Sequence, residues 1–165
     1  MRLETLLNIH GKIDWRGVDP SLQAQSLCFD SRKVGQGSVF VAIRGHSSDG
    51  HEYLPQVAQS GAVALVVEDT TKVPEDYRGG VVEVLDSRLS LQVLSQRFYG
   101  EPGNELTSIA VTGTNGKTST TYIIESLLNS QKHLCGVIGT IDHHIAEKVW
   151  PTELTTPDPV TLQSR

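Results

Sequence analysis

Cysteine is scarce in this chain of 165 residues: Cys28 and Cys135 are the only two, far apart and each inside an apolar run. That excludes a small scaffold stapled by disulfides and points to buried thiols of a reducing compartment. An excess of positive charge is missing as well. Lys and Arg number 14 against 19 Asp and Glu, a net charge of −5, so no global field draws in nucleic acid. Any anionic ligand must then be held by local devices such as backbone N–H groups, a helix N-terminus or a few placed cations. No apolar run approaches the roughly 18 residues needed to cross a bilayer. The opening "MRLETLLNIHGKI" breaks the apolar core that a signal peptide requires, so the expectation is a cytoplasmic protein. Internal repeats and low-complexity tracts are lacking too. With 38% hydrophobic and 20% charged residues, the composition is that of a globular chain, long enough for one ordinary domain or two small ones.

What is present is an alternation of strand-like and helix-like runs. "SVFVAI" (38–43), "VALVVE" (63–68) and "VVEVLD" (81–86) are short, β-branched and apolar, the pattern of strands buried on both faces. Between the first two, Tyr53, Leu54, Val57 and Ala58 share a helical face and Gly61 is placed to end that helix. Asp49 precedes it as a cap. After the third strand, Leu91, Leu94 and Phe98 recur at helical spacing, with Gly100 as the stop. "YGEPGNEL" (99–106) then shifts to glycine and proline, a linker or boundary.

Beyond it, "TSIAVT" predicts a strand, and Tyr122, Ile123, Ile124, Leu127 and Leu128 predict the buried stripe of a helix. "HLCGVIGT" (133–140) predicts a second strand, making a parallel βαβ unit. Residues 141–165 carry no long periodic element. The adjacent His143 and His144, without a Cys/His/Asp set around them, read as solvated rather than metal-binding. Trp15 and Trp150 read as packing residues, since no basic stripe accompanies them.

The turn between that strand and helix is Thr112-Gly113-Thr114-Asn115-Gly116-Lys117-Thr118-Ser119. Gly113 and Gly116 let the backbone bend sharply and bring its N–H groups against phosphate oxygens. The following helix adds its free N–H groups and positive end. Lys117 can reach β- and γ-phosphates, and the Thr118 hydroxyl is placed to ligate Mg²⁺. The usual G-x-x-x-x-G-K-[ST] pattern would need glycine at 111, where this chain has Val111. This is a shortened variant of a nucleotide-phosphate loop.

"TGTNGKTSTT" resembles the ATP loop of the Mur ligases and of their relatives, the folylpolyglutamate synthetases. "FDSRKVGQGSVFVAIRGHSSDGHEYLPQVAQSGAVALVVE" (29–68) is similar to the uridine-nucleotide domain of the later Mur ligases, and "TTPDP" (155–159) resembles a segment of the UDP-N-acetylmuramoyl-tripeptide synthetases. The resemblance runs over nearly the whole chain. It implies an α/β fold: a small N-terminal α/β domain for the UDP substrate over 1–100, then the first βαβ unit of a P-loop-type ATPase domain over 101–165. That family is about three times longer, and a βαβ unit with one helix cannot cover both faces of its sheet, so the second domain is expected either to complete itself against the first or to be cut short.

By that resemblance, ATP sits on Gly113, Thr114, Asn115, Gly116, Lys117, Thr118 and Ser119, with Lys117 as the catalytic cation and Thr118 on the metal. Phe29 and Ser31 would touch uracil and ribose, and His46, Ser47 and Ser48 would belong to the loop over uracil and diphosphate. Thr155 and Thr156 would contact the muramoyl-dipeptide end. The implied reaction adds diaminopimelate or lysine to UDP-N-acetylmuramoyl-L-alanyl-D-glutamate through an acyl phosphate, with ATP and Mg²⁺. The residues that recognise the added amino acid lie beyond 165, so the chain alone is expected to be inactive. The rival reading is a non-catalytic module that binds UDP-sugar or nucleotide without turnover. A neighbouring pathway ligase or a folate-type ligase is weakened by the pairing of "DSR…DGH" with "TTPDP".

Overall fold

The structure is a computed structural model that describes residues 1–9, 12–17, 19, 21–45, 48–152 and 155–165, and the side chains of these except residues 12–15. The chain divides into two compact units, residues 1–104 with 159–165, and residues 105–158.

The first unit is built on a five-stranded sheet. Helix α1 (Leu3–Leu7) precedes strand β1 (Lys12–Arg16), followed by β2 (Ser26–Cys28), β3 (Ser38–Val41), helix α2 (Leu54–Gln59), β4 (Ala64–Val67), β5 (Gly80–Val84) and helix α3 (Ser87–Phe98). The spatial order is β1-β5-β4-β3-β2. Strands β2 to β5 are mutually parallel and β1 closes one edge antiparallel to β5.

The strict alternation of a strand explains the two cores. Val39, Val41, Ala64, Val66, Val82 and Val84 point to one face, where Leu3, Leu6 and Leu7 of α1 and Leu91 and Leu94 of α3 cover them. Phe40, Ala42, Leu65, Val67 and Val81 point to the other, against Leu54 and Val57 of α2. Strands with apolar groups on both faces need cover on both. Of the helix face expected from the sequence around α2, Leu54 and Val57 are buried whereas Tyr53 is 40% exposed. Cys28 is buried in this unit, and desolvation raises its thiol to about 11. The short helix α5 (Pro159–Ser164) also belongs here, with Val160 half-buried against the first core.

The second unit differs from its expected form. Helix α4 (Lys117–Ser130) is present, followed by strands β6 (Gly136–Ile138), β7 (His143–Ile145) and β8 (Lys148–Trp150). Residues 107–112, predicted as a strand, pair with nothing among the described residues, and β6 is antiparallel to β7 rather than parallel to an earlier strand. The sheet is a three-stranded meander, β6-β7-β8. A parallel pair with one helix leaves a sheet face bare, whereas antiparallel strands close through a two-residue turn, here Ala146–Glu147 with Ala146 at φ 50°. The predicted buried stripe of α4 is likewise corrected. None of its residues is buried, and Ile123 and Leu127 are 60% and 62% exposed, because this unit supplies no second layer against that face. Cys135, expected to be buried, is half-exposed beside β6.

Candidate functional site

In the first unit all four parallel strands end at the same edge, the edge at which open α/β sheets bind ligands. After β2, the sequence Phe29-Asp30-Ser31-Arg32 turns into a short 3-10 segment starting at Ser31, capped by the Asp30 carboxylate accepting from the Arg32 backbone N–H. Phe29 is half-buried against the first core. The Arg32 guanidinium makes a two-pronged contact with Asp30, at 2.9 and 2.7 Å, and draws its carboxyl down to about 2. The Ser31 side chain is half-exposed beside this pair.

After β3 the chain passes Arg44 and reaches Ser48, whose carbonyl accepts from the Gly45 N–H at 2.8 Å. Ser48 is exposed. His46 and Ser47, predicted for the same loop, lie outside the described residues. Asp49 accepts from the His51 N–H at 3.0 Å and so caps the turn that opens α2. It also takes the His51 ring Nδ1–H at 2.7 Å and the Lys72 ammonium at 3.0 Å. Partial burial pushes this carboxyl up, but those three donors outweigh it and hold Asp49 well below the usual carboxylate range.

Glu68, directly after β4, ties the edge together. Its backbone N–H donates to the His51 Nε2 at 2.9 Å, which places the ring proton on Nδ1 toward Asp49. One carboxylate oxygen accepts from the Ser87 N–H and hydroxyl at 2.9 and 2.8 Å, and the other lies 3.4 Å from Arg44 Nε. Arg88 of α3 donates to the Arg44 carbonyl at 2.9 Å. Sequence reasoning missed Arg44, Glu68 and Arg88. Their signal is a charged residue at or just past the end of a β-branched run, where a strand leaves the sheet.

In the second unit the glycine turn is exposed, from Thr112 to Lys117. Gly113 has φ 150° and Gly116 φ 78°, a left-handed conformation that costs other residues about 1–2 kcal/mol. Gly116 is the N-cap of α4, and no side chain caps that helix. By contrast Asp86 caps α3 by accepting from the Leu89 N–H at 2.9 Å. The first N–H groups of α4 therefore have no internal partner. The Lys117 ammonium donates to the Gly113 carbonyl at 2.7 Å and lies 3.4 Å from that of Thr114. The Thr118 hydroxyl is 3.3 Å from that of Thr140. Thr114, Asn115 and Ser119 stand exposed along the turn. Exposed glycine backbone, an uncapped helix start and one lysine held only by the turn's own carbonyls are the elements a phosphate group could use.

Thr155 and Thr156 are exposed, and the Thr155 carbonyl is 3.2 Å from His143 Nε2. The histidine pair is not solvated as the sequence suggested. His143 is 3% exposed. His144 has both ring nitrogens engaged, with Asp142 at 2.6 Å and Glu125 at 2.9 Å. No group of three or more acidic, histidine or cysteine side chains among the described residues is arranged for a metal ion. Among the described residues no helix is long and apolar enough to cross a membrane.

Family models match both parts of the chain. The family model "Mur ligase family, catalytic domain" matches residues 24–99, and "Mur ligase middle domain" matches residues 111–165. A UDP-N-acetylmuramoyl-L-alanyl-D-glutamate–2,6-diaminopimelate ligase of Geobacter sulfurreducens is 38% identical over 99% of this chain and 32% of its own length. Its counterpart in Geobacillus thermodenitrificans is 40% identical over the same shares. A solved structure of a ligase of that name superposes with a TM-score of 0.73 at 26% identity, over 99% of this chain and 32% of the other. The UDP-N-acetylmuramoylalanyl-D-glutamyl-2,6-diaminopimelate–D-alanyl-D-alanyl ligase of Acinetobacter baumannii gives 0.53 at 31% identity, over 70% and 25%. The chain spans about a third of the length of the curated relatives it matches. Two family models of one family in sequence order, with relatives aligned over nearly the whole of this chain, place it: the chain belongs to the Mur ligase family.

Proposed function

We propose that this chain forms the UDP-substrate unit and the nucleotide loop of an ATP-dependent ligase, one that joins diaminopimelate or lysine to UDP-N-acetylmuramoyl-L-alanyl-D-glutamate. The relatives named as 2,6-diaminopimelate ligases favour the first amine. One observation carries the nucleotide half: α4 starts uncapped behind Gly113 and Gly116, with the Lys117 ammonium on the loop's own carbonyls. Those carbonyls hold the cation until a phosphate, a stronger acceptor, replaces them.

In the reaction, the backbone N–H groups of 113–119 and the helix start orient the triphosphate of ATP, and Lys117 stabilises charge as it develops on the transferred phosphoryl group. The donors of the loop fit a magnesium–nucleotide complex: the Thr118 hydroxyl, in only a long contact with Thr140, would hold Mg²⁺, which when bound neutralises phosphate charge. The substrate carboxylate attacks the γ-phosphorus and ADP leaves; the amine then displaces phosphate from the acyl phosphate. Phe29 and Ser31, with the loop of His46, Ser47 and Ser48, bind the uridine nucleotide, and Thr155 and Thr156 the muramoyl-dipeptide end. The site of the added amine is not assigned to any residue of this chain. A UDP-linked, carboxylate-bearing substrate and ATP are charged, water-soluble molecules, which suits a cytoplasmic enzyme.

Calorimetric titration with UDP-N-acetylmuramoyl-L-alanyl-D-glutamate and with MgATP tests the two halves separately. Ser31→Ala should weaken the first ligand by roughly fivefold, the worth of one hydrogen bond of about 1 kcal/mol, and spare the second. Lys117→Ala should weaken MgATP on the order of 10- to 100-fold and spare the first. Binding of either ligand that is indifferent to its own variant overturns that half.

A further inference from the structure

The histidine pair of β7 joins two parts of the proposed site. Successive side chains of a strand leave on opposite faces, so His143 and His144 serve different neighbours. His144 sits between Asp142 and Glu125 of α4, at 2.6 and 2.9 Å. Its ring lies 5.5 Å from that of Tyr122, whose hydroxyl reaches Asp142 at 3.3 Å. Across the sheet β6 and β8 set Val137 and Val149 opposite it, so the ionisable groups facing it are Asp142, Glu125 and Tyr122. His143 is buried, with Nε2 at 3.2 Å from the Thr155 carbonyl.

The chemistry of the ring decides what His144 does. A neutral imidazole has one N–H and one lone pair, whereas an imidazolium donates from both nitrogens. One carboxylate oxygen at each ring nitrogen, Asp142 at Nδ1 and Glu125 at Nε2, gives two acceptors that only the imidazolium satisfies together. We propose that the two histidines are positioning residues: His144, as an imidazolium, clamps helix α4 to β7, and His143 holds the Thr155 carbonyl, so that one strand sets the nucleotide loop's helix and the 155–156 threonines in register. The placing of these parts around nucleotide and acceptor rests on the function proposed above; the clamp itself does not.

The hydrogen bond to Asp142 does most to raise the basicity of His144; burial opposes it, and Glu125 adds to the rise. The sign follows. A group held above its ordinary value contributes fully below that value, and its contribution is lost as pH rises through the folded value. Alkaline conditions release the clamp.

Nitrogen-15 NMR of histidine-labelled chain, with amide exchange along α4, tests this without any ligand. At neutral pH both nitrogens of His144 should be protonated. Glu125→Gln and Asp142→Asn should each lower its titration midpoint. Exchange in α4, corrected for the intrinsic rate, should accelerate as pH passes the wild-type midpoint, and at lower pH in Glu125→Gln. His143→Phe, which keeps bulk and removes the donor, should speed exchange in residues 155–158 alone. A singly protonated His144 at neutral pH, or α4 exchange blind to the midpoint, overturns the clamp. MgADP titrated across the same pH range adds the functional arm. Affinity should fall several-fold above the midpoint in the wild type and stay flat in His144→Gln, and a flat wild-type profile overturns the positioning role. Failure of MgADP to bind at any pH, with the exchange result as expected, defeats the nucleotide reading and leaves the clamp standing.

Discussion

The two units share one chain and obey opposite rules at their helices. Helix α3 begins on Asp86, whose carboxylate caps it, and closes through Gly100 at φ 81° with the Glu101 N–H on the Gln96 carbonyl. Helix α4 begins on Gly116, which offers no cap, and closes through Lys132 at φ 63° with the His133 N–H on the Leu128 carbonyl. Residue preference puts Asp or Ser at the start and Gly just past the end. The first helix follows that preference and α4 inverts it. The cores differ in the same sense. Phe40, Leu65 and Leu94 of the first unit are fully buried, whereas Val137 is the one buried apolar side chain of residues 105–158 among those described. The first unit is optimised as a folded body; the second exposes donors and apolar groups that a ligand or further protein surface can use.

The sharpest way to break this contrast is core truncation. Leu65→Ala should cost about 2–5 kcal/mol, while Leu127→Ala, on the exposed face of α4, should cost within about 0.5 kcal/mol. Denaturant unfolding followed by amide signals of each unit separates them, and equal costs would abolish the distinction. Next in size, Gly116→Val forces a β-branched residue into the left-handed region at about 1–2 kcal/mol and should take MgATP affinity with it. At α3, Asp86→Ala should cost about 1 kcal/mol of stability without touching MgATP binding, as read by calorimetry.

The two units should also respond to pH in opposite directions. Asp49 is depressed by its donors, so its contribution is complete above the usual carboxylate range and is lost as pH falls toward its lowered value. Amide exchange around 49–54 should therefore quicken in acid, and Asp49→Asn should remove that dependence. In residues 117–130 exchange should quicken in alkali, through His144. The smallest effect is a gain: Lys132→Gly should relieve the left-handed strain at the end of α4 and raise its local stability by about 0.5–1 kcal/mol, visible as slower exchange in its last turn.

Much of the first unit was legible because every level of the chain agrees there. The runs around Val39, Val66 and Val82 are apolar on both faces, the helices between them have one apolar stripe, and Asp49, Gly61 and Gly100 stand at the ends; Asp86, read as the end of a strand, turned out to cap α3. The second unit misled for a physical reason. "TSIAVT" and the stripe of α4 have the composition of buried elements, yet burial needs a surface to bury against, and residues 105–158 supply little. The hairpin of β7 and β8 turns on Ala146–Glu147, which carries none of the Asn-Gly or Asp-Gly signal of a tight turn. Glu68, Arg44 and Arg88 looked like ordinary surface charges because their partners lie far off in sequence, as with Arg88 and the carbonyl 44 residues before it.

By itself the sequence determined the alternation of elements in the first unit, the glycine loop with its lysine, and the family. Local backbone preference and periodic burial suffice for those. Only the tertiary structure decided that Glu68 joins three loops at one sheet edge, that α4 keeps an open apolar face, and that His143 and His144 hold opposite sides of one strand. Those facts depend on which distant groups meet across a fold, and a hydrogen bond over a few ångströms leaves no period in the chain that makes it.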